Sequence, residues 1–148
     1  NILVHFNNGA RGILYASQVS INDENSLAIR VYGELGGLEW HQEEPNTLLV
    51  KWPDRPRELV RSGCGNAYLT APAQKATRIP AGHPEGFVEA FANVYLAFAA
   101  AVHEADASLP RSPAAHDFPT VHDGLRGIAF IEAAWESQRS ERKWTSLV

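Results

Sequence analysis

Sulfur-containing residues are almost absent from this chain. Its 148 residues include no methionine and a single cysteine, Cys64. One cysteine excludes an intramolecular disulfide framework and a zinc site built from cysteines.

Basic residues are also scarce, with 13 against 17 acidic ones and a formal net charge of −4. A nucleic-acid binder needs a basic stripe to neutralise phosphates, so we expect no nucleic-acid partner.

Long apolar runs are absent as well. The longest, Tyr95 to Val102, is far shorter than the roughly 20 residues of a membrane-spanning helix, so we expect no membrane partner. The chain begins at Asn1 in strand-like alternation without a charged or apolar leader, and we expect a cytoplasmic protein. Its length suits one compact domain. The start without an initiator favours a piece cut from a longer protein over a trimmed initiator.

The first 61 residues follow the pattern of β-strands. Apolar and polar residues alternate with a period of two, and turn signals such as Asn7–Gly9 and Pro53–Pro56 separate the runs. Short turns between successive strands predict an antiparallel meander. We expect strands over residues 2–6, 13–19, 27–32, 38–41 and 48–52, with a sixth, edge strand over 58–61.

The second half is typical of helices. Residues 62–82 sustain no period and allow at best one helical turn near 73–76. Pro84 suits the first position of a long helix and Glu85 its first turn. After a proline-rich link at 109–119, Thr120 and Asp123 have the form of a capping box that starts a second helix. We expect Trp144 to pin the tail to the body. The first helix carries an apolar stripe of Phe87, Phe91, Val94, Tyr95, Phe98 and Val102.

These elements predict an α+β fold in which a mostly antiparallel sheet of five or six strands carries two amphipathic helices on one face. Two helices cannot cover both faces of such a sheet. Tyr15, Trp40 and Trp52 are candidates for the uncovered face. An open apolar sheet face is typical of an interaction surface, so we expect a homo-oligomer that forms through the sheet.

The segment Gly82–Gly86 is the best candidate for a binding site. Flanking glycines let the main chain approach another group, and a helix amino end after an irregular loop favours polar ligands. The imidazole of His83 could exchange hydrogen bonds with a substrate hydroxyl, and we predict that His83 and Glu85 bind substrate. In the structural alternative, His83 caps the helix and Glu85 complements its dipole.

Other candidate chemistry is weaker. Gly33–Gly37 lies between two predicted strands and Gly63–Gly65 precedes no helix, so neither has the context of a dinucleotide fingerprint. Nothing near Cys64 would lower its pKa, which favours a buried, inert thiol. We predict no metal and no catalytic constellation, because a third ligand is missing from each of three pairs. The pairs are His41 with Glu43, His116 with Asp117, and His122 with Asp123.

An ordered set of motifs nevertheless resembles one family, the C-terminal domain of the Gfo/Idh/MocA oxidoreductases, the group of glucose–fructose oxidoreductase and inositol dehydrogenase. The similarity spans nearly the whole chain. The motifs are Phe6-Asn-Asn-Gly-Ala-Arg-Gly12, Ala16-Ser-Gln-Val19, Arg30-Val-Tyr-Gly33 with Gly37-Leu-Glu-Trp40, Gly82-His-Pro-Glu-Gly86 with Glu89-Ala-Phe-Ala-Asn93, and Asp117-Phe-Pro-Thr120 with Asp123-Gly-Leu-Arg126.

The resemblance implies a two-domain parent whose Rossmann domain binds NAD or NADP. The C-terminal domain would supply a substrate-pocket wall and the oligomer interface for hydride transfer at a carbon of a sugar or cyclitol. The family's Glu-Lys-Pro tripeptide, with its catalytic lysine, is absent here. Its Asp/His pair should precede this chain, and His41 lacks the matching context. The resemblance therefore implies no catalytic and no cofactor-binding residue in this chain, which we expect to be inactive alone.

Two alternatives stay open. The chain could be a stand-alone ligand-binding or interaction module with the same α+β layout, because a fold does not determine a function. It could also be a small metal-dependent enzyme.

Overall fold

The computed structural model describes residues 1–106 and 117–147. The predicted link at 109–119 and the candidate ligand His116 lie largely or wholly outside them. Asn1–Asn22 and Phe118–Val148 form one compact unit, and Asp23–Asp117 forms another. In chain order the described elements are β1 (Ile2–His5), β2 (Arg11–Leu14), β3 (Ala28–Gly33), β4 (Gly36–His41), β5 (Thr47–Lys51), β6 (Glu58–Arg61), α1 (Ala71–Ala76), α2 (Phe87–Asp106) and α3 (Val121–Arg139).

The strands form two antiparallel sheets, and the expectation of one sheet with five or six strands is wrong. Strands β1 and β2 pair only with each other, whereas β3, β4, β5 and β6 form a meander in that order. The second strand ends at Leu14 rather than Val19. Ser17 accounts for part of this early end, because its Oγ accepts a hydrogen bond from the Val19 amide at 3.2 Å and turns the chain. Tyr15 therefore lies beyond the strand.

One face of the four-stranded sheet is apolar. Side chains alternate along a strand, so residues paired across strands share a face. Ile29 lies opposite Trp40, and Val31 lies opposite Leu38. Three of these residues remain open to solvent, with Ile29 57%, Val31 52% and Leu38 42% exposed. The same face continues through β5 and β6 with Leu48, Val50 and Val60.

The opposite face of the sheet carries a charged cluster around Glu39. Its carboxylate accepts a hydrogen bond from His41 Nε2 at 2.8 Å and another from Lys51 Nζ. Arg30 Nε lies 3.4 Å from Glu39 Oε1. The hydrogen bonds from His41 and Lys51 lower the pKa of Glu39 from 4.5 to about 2, with a further contribution from the positive charge of Arg30. Glu39 therefore remains ionised well into the acid range.

The helices agree with the sequence pattern to different degrees. The predicted capping box of α3 is confirmed: the Thr120 side chain accepts a hydrogen bond from Asp123 N at 3.4 Å, while the Asp123 carboxylate accepts one from Thr120 N at 2.8 Å. The tail contact is confirmed too, because the Trp144 ring lies 5.7 Å from that of His5. Among the described residues, none of the helices is long and apolar enough to cross a membrane.

The apolar stripe of α2 is not buried against the sheet of its own unit, contrary to expectation. Phe87 and Phe91 contact each other, with ring centroids 4.8 Å apart. They remain 65% and 53% exposed, respectively. The stripe is thus present at the predicted spacing but is largely open to solvent.

Removing the cap of α3 should destabilise the chain. We expect Thr120→Ala to lower the free energy of unfolding by about 1 kcal/mol, because the amide of Asp123 loses its side-chain acceptor. Urea unfolding measures this difference. Thr120→Ser keeps the hydroxyl and is the matched control. Equal losses for the two variants would contradict a role for the cap.

Acid should weaken the sheet through Glu39. Because its pKa is lower in the folded chain, its contribution is present above about pH 4.5 and is lost as the pH falls towards about 2. We expect Glu39→Gln to be less stable than the original chain near neutral pH and to lose less stability between about pH 7 and about pH 3. Urea unfolding at both pH values tests this. Glu43→Gln, in the exposed β4–β5 turn, should leave the pH dependence unchanged.

Candidate functional site

The irregular connection after β6 is held in place by close main-chain contacts. The Cys64 amide donates a hydrogen bond to the Ile79 carbonyl oxygen at 2.9 Å. A Cβ atom on Gly63 would lie only 2.6 Å from the Ala81 nitrogen, so no larger residue fits at position 63 without movement of the main chain. This contact places Ala81 against the end of β6. The candidate segment Gly82–Gly86 starts from that fixed point.

A buried amide holds the middle of the candidate segment. Asn46, in the β4–β5 turn, is only 7% exposed. Its Nδ2 donates to the His83 carbonyl oxygen at 3.1 Å, and its Oδ1 accepts from the Glu85 amide at 2.9 Å. Next to it, the side chain of Pro45 lies against Gly86, where an added Cβ would come within 3.1 Å of Pro45 Cγ. The segment is therefore attached to the sheet at positions 83, 85 and 86.

The Glu85 carboxylate is engaged by donors of the chain itself. The Arg78 amide donates to its two oxygens at 2.9 and 3.1 Å, and the Ile79 amide donates to Oε2 at 3.4 Å. The guanidinium of Arg78 lies 3.6 Å away, and the Glu85 side chain is only 6% exposed. This arrangement favours a structural task for Glu85 over direct contact with a ligand. Its predicted role in substrate binding stays a prediction.

Arg78 extends the same network to α2. Its guanidinium donates to the Glu89 carbonyl oxygen at 3.4 Å and to Asn93 Oδ1. Asn93 in turn donates from Nδ2 to the carbonyl oxygen of Ala76 at 3.3 Å. The end of α1, the candidate segment and the first turns of α2 are thus joined by polar side chains.

These contacts also explain why α2 begins later than the sequence pattern indicates. The helix starts at Phe87, so Pro84 is not its first residue and Glu85 is not in its first turn. Gly86 precedes the helix, and its amide donates to Glu89 Oε2 at 2.9 Å. That hydrogen bond lowers the pKa of Glu89. Because Asn46 already accepts from the Glu85 amide, positions 84–86 are held in the loop rather than in the helix.

His83 is exposed, as are its neighbours Gly82 and Pro84. It does not cap α2, because three residues lie between His83 and the first helical residue, Phe87. Its amide donates to the Pro80 carbonyl oxygen at 3.3 Å, and its ring Nδ1 donates to the same oxygen at 3.2 Å. The imidazole is therefore accessible but anchored at one nitrogen. An anchored polar group on an ordered loop is suited to ligand binding, and the substrate role predicted for His83 stays a prediction.

The residues weighed for other chemistry lie apart from this segment or are engaged elsewhere. Cys64 is exposed rather than buried as expected, and it has no disulfide partner among the described residues. His41 contacts Glu39 instead of joining Glu43. Within residues 1–106 and 117–147, no group of three or more His, Cys, Asp or Glu side chains is placed to hold a metal ion.

The glycine-rich segments do not fit a dinucleotide cofactor. Gly33 and Gly36 face each other at the end of the β3–β4 hairpin, so no helix follows the turn to receive a pyrophosphate. Gly63 is packed against Ala81, which occupies the space that a phosphate would need. The described residues therefore provide no phosphate cradle of the Rossmann type.

Sequence reasoning missed Asn46, Arg78 and Asn93, although all three hold the candidate segment. Asn46 follows a proline and reads as a turn residue, while its partners lie 37 and 39 positions further along the chain. No local spacing rule connects such positions. The charged cluster around Glu39 was missed for the same reason, since it joins three strands.

Comparisons with known proteins identify the family to which this domain is similar. The model of the family described as "Oxidoreductase family, C-terminal alpha/beta domain" matches residues 1–147. An uncharacterised oxidoreductase, YfiI, of Bacillus subtilis (strain 168) is 30% identical over 97% of the chain, which covers 36% of that protein. The crystal structure of an oxidoreductase from Sinorhizobium meliloti has a TM-score of 0.78 and 39% identity, covering 88% of this chain and 35% of the other.

A further solved structure is an inositol dehydrogenase homolog from Azotobacter vinelandii, complexed with NADH and myo-inositol. It has a TM-score of 0.75 and 33% identity, covering 88% of this chain and 34% of that one. The chain thus spans about a third of the length of the relatives it matches. Since the family model extends over all but the last residue, the chain belongs to the C-terminal alpha/beta domain family of the Gfo/Idh/MocA oxidoreductases.

Proposed function

We propose that this chain is the C-terminal substrate-binding and oligomerisation domain of an NAD(P)-dependent oxidoreductase that acts on a sugar or cyclitol in the cytoplasm. The observation that carries the proposal is the likeness to the inositol dehydrogenase homolog complexed with NADH and myo-inositol. That likeness covers 88% of this chain but only 34% of the homolog. The remaining two-thirds of such a protein has room for a Rossmann domain and for the catalytic groups.

The cofactor in this proposal binds to the Rossmann domain of the parent. Support comes from the glycine segments of this chain, which lack the strand–turn–helix context that a pyrophosphate requires. The choice between NAD and NADP would likewise lie with the other domain. A second homolog from Azotobacter vinelandii, similar over 88% of this chain, is complexed with NAD+. The chain alone would then perform no hydride transfer.

The substrate-pocket wall in this proposal is the segment Gly82–Gly86. His83 supplies an exposed imidazole on a loop that Asn46 attaches to the sheet. A sugar or cyclitol presents hydroxyl groups, which exchange hydrogen bonds with an imidazole at close range. Glu85 supports the position of this loop, because its carboxylate accepts hydrogen bonds from the amides of Arg78 and Ile79.

Cofactor titration tests the division of labour between the domains. We expect the 148-residue chain to show no saturable binding of NADH or NADPH at micromolar concentrations and no oxidation of myo-inositol. The same titration on a longer protein that joins this chain to its Rossmann domain should saturate, and in a separate assay that protein should reduce NAD+ or NADP+ in the presence of a polyol. Tight cofactor binding by the chain alone would contradict the proposal. A longer reading frame without a nucleotide-binding half would instead favour a stand-alone interaction module.

The oligomer interface in this proposal is the apolar face of the four-stranded sheet. Ile29 and Val31 are more than half exposed there, and Leu38 is 42% exposed. Burial of such side chains contributes about 25 cal/mol for each Å² removed from water. On the four strands of this sheet, one charged residue shares the face, Glu58 opposite Val50 on β6. The Glu39 cluster occupies the other face.

A charge on the apolar face should prevent self-association. We expect the protein to sediment as a dimer or larger assembly and Val31→Asp to shift it towards the monomer, because a carboxylate would be buried without a partner. Ala28→Asp places the same charge on the opposite face of β3 and is the matched control. Analytical ultracentrifugation distinguishes the outcomes. A monomeric original protein, or equal dissociation in both variants, would overturn the assignment of this face.

A further inference from the structure

The tautomer of His83 follows from its hydrogen bond to Pro80. A carbonyl oxygen only accepts, so the ring nitrogen that contacts it at 3.2 Å, Nδ1, carries the proton. In a neutral imidazole the other nitrogen, Nε2, is then unprotonated and acts as an acceptor. The ring is exposed, so this acceptor is accessible to a ligand. A substrate hydroxyl has the matching donor.

The orientation of this acceptor depends on the main chain at position 83. The His83 amide and Nδ1 both donate to the Pro80 oxygen, which closes a short turn. The carbonyl of His83 is held from the other side by Asn46 Nδ2 at 3.1 Å. Gly82 has a φ of 93° and no side chain, so it restrains rotation of this peptide less than a residue with a side chain would. Asn46 thus adds a restraint beyond the turn itself and the restriction that Pro84 places on the preceding residue.

Asn46 is unusual in its burial. In the part of the chain that the structure describes, it is the one polar residue that is buried as a whole, main chain and side chain together, and its two amide hydrogen bonds both go to the candidate segment. A buried amide that lost these partners would leave unpaired polar groups behind, so its position is strongly restrained. The β4–β5 connection therefore holds positions 83 and 85 of the segment through this one side chain.

We propose that Asn46 is a positioning residue that fixes the peptide at His83, so that the unprotonated Nε2 of His83 is presented as the hydrogen-bond acceptor for a substrate hydroxyl. The inference rests on the proposed function for the identity of the ligand. The restraint of the imidazole by Asn46 is a property of the chain itself.

Two substitutions distinguish the donor role of the Asn46 side chain from its acceptor role. Asn46→Ala removes both hydrogen bonds. Asn46→Asp keeps an acceptor for the Glu85 amide but places an oxygen against the His83 carbonyl, where a donor is needed. The matched control is Asn66→Ala, because Asn66 also donates from its side chain, but to the Arg61 carbonyl and the Tyr68 hydroxyl. Circular dichroism and thermal melting identify any variant that fails to fold, and Asn46→Asp then replaces Asn46→Ala.

The first measurement reads the tautomer in the 148-residue chain. Long-range nitrogen–proton NMR spectra distinguish Nδ1–H from Nε2–H imidazoles, and His83→Gln assigns the signal. We expect the Nδ1–H form in the original chain and in Asn66→Ala, with a mixture of tautomers in both Asn46 variants. An unchanged His83 signal in folded Asn46→Ala and Asn46→Asp would overturn the positioning role.

The second measurement is steady-state kinetics in the longer protein that carries the Rossmann domain. With myo-inositol as the probe, we expect Asn46→Ala and His83→Ala each to raise KM about three- to tenfold with little change in kcat. The double variant should raise KM no further than His83→Ala alone, because Asn46 acts through His83. Independent, multiplying effects would overturn the inference.

The two measurements separate the inference from the proposed function. If the longer protein oxidises myo-inositol with an unchanged KM in His83→Ala, the acceptor role is wrong while the proposed function stands. If the longer protein acts on no polyol at all, the proposed function fails, and the acceptor role for a substrate hydroxyl fails with it. The NMR result then still decides, by itself, whether Asn46 restrains the imidazole.

Discussion

The candidate site depends on the side-chain amide of Asn46. This group is buried, and a buried amide must satisfy both its donor and its acceptor to avoid a penalty of about 1–3 kcal/mol for each unpaired group. Here both are satisfied by the main chain of one short segment, at His83 and Glu85. The same requirement that keeps the amide paired therefore keeps an irregular loop in one conformation. A rigid sheet connection thereby orders a segment that has no secondary structure of its own.

Glu85 illustrates how the segment competes with the helix that follows it. At a helix amino end its carboxylate would gain about 0.3–1 kcal/mol from the helix dipole. In the structure it instead accepts main-chain hydrogen bonds from Arg78 and Ile79, which are charge-assisted and stronger. Helix α2 begins only after Gly86, where Glu89 provides the missing acceptor for the Gly86 amide. The exposed position of His83 is the result of this shift.

Patterns within short stretches of sequence predicted most of the helices and strands. Contacts between residues that are distant in the chain could not be predicted from such patterns. The strands β3 to β6 and the Thr120–Asp123 capping box follow from alternation and from a three-residue spacing, which the sequence displays directly. The early end of β2 was not predictable from alternation, because a hydrogen bond within Ser17–Val19 turns the chain where the apolar pattern continues. The division into two sheets depends on which strands pair, and alternation carries no information on that pairing. The glycines of Gly82–Gly86 made it possible to identify this segment from the sequence. Its attachment to Asn46 could not be predicted, because the partners are far apart in the chain.

The contrast between the faces of the meander sheet bears on how this domain can associate. Glu39 contacts Arg30, His41 and Lys51, so docking a second copy on that face would remove these charges from water. Desolvation of paired charges often costs as much as their attraction returns. The face with Ile29 and Val31 carries one charged strand residue, Glu58 on β6, and burial of its remaining side chains releases water from apolar surface. Under the proposed function, hydrophobic burial therefore favours the apolar face over the charged face for self-association.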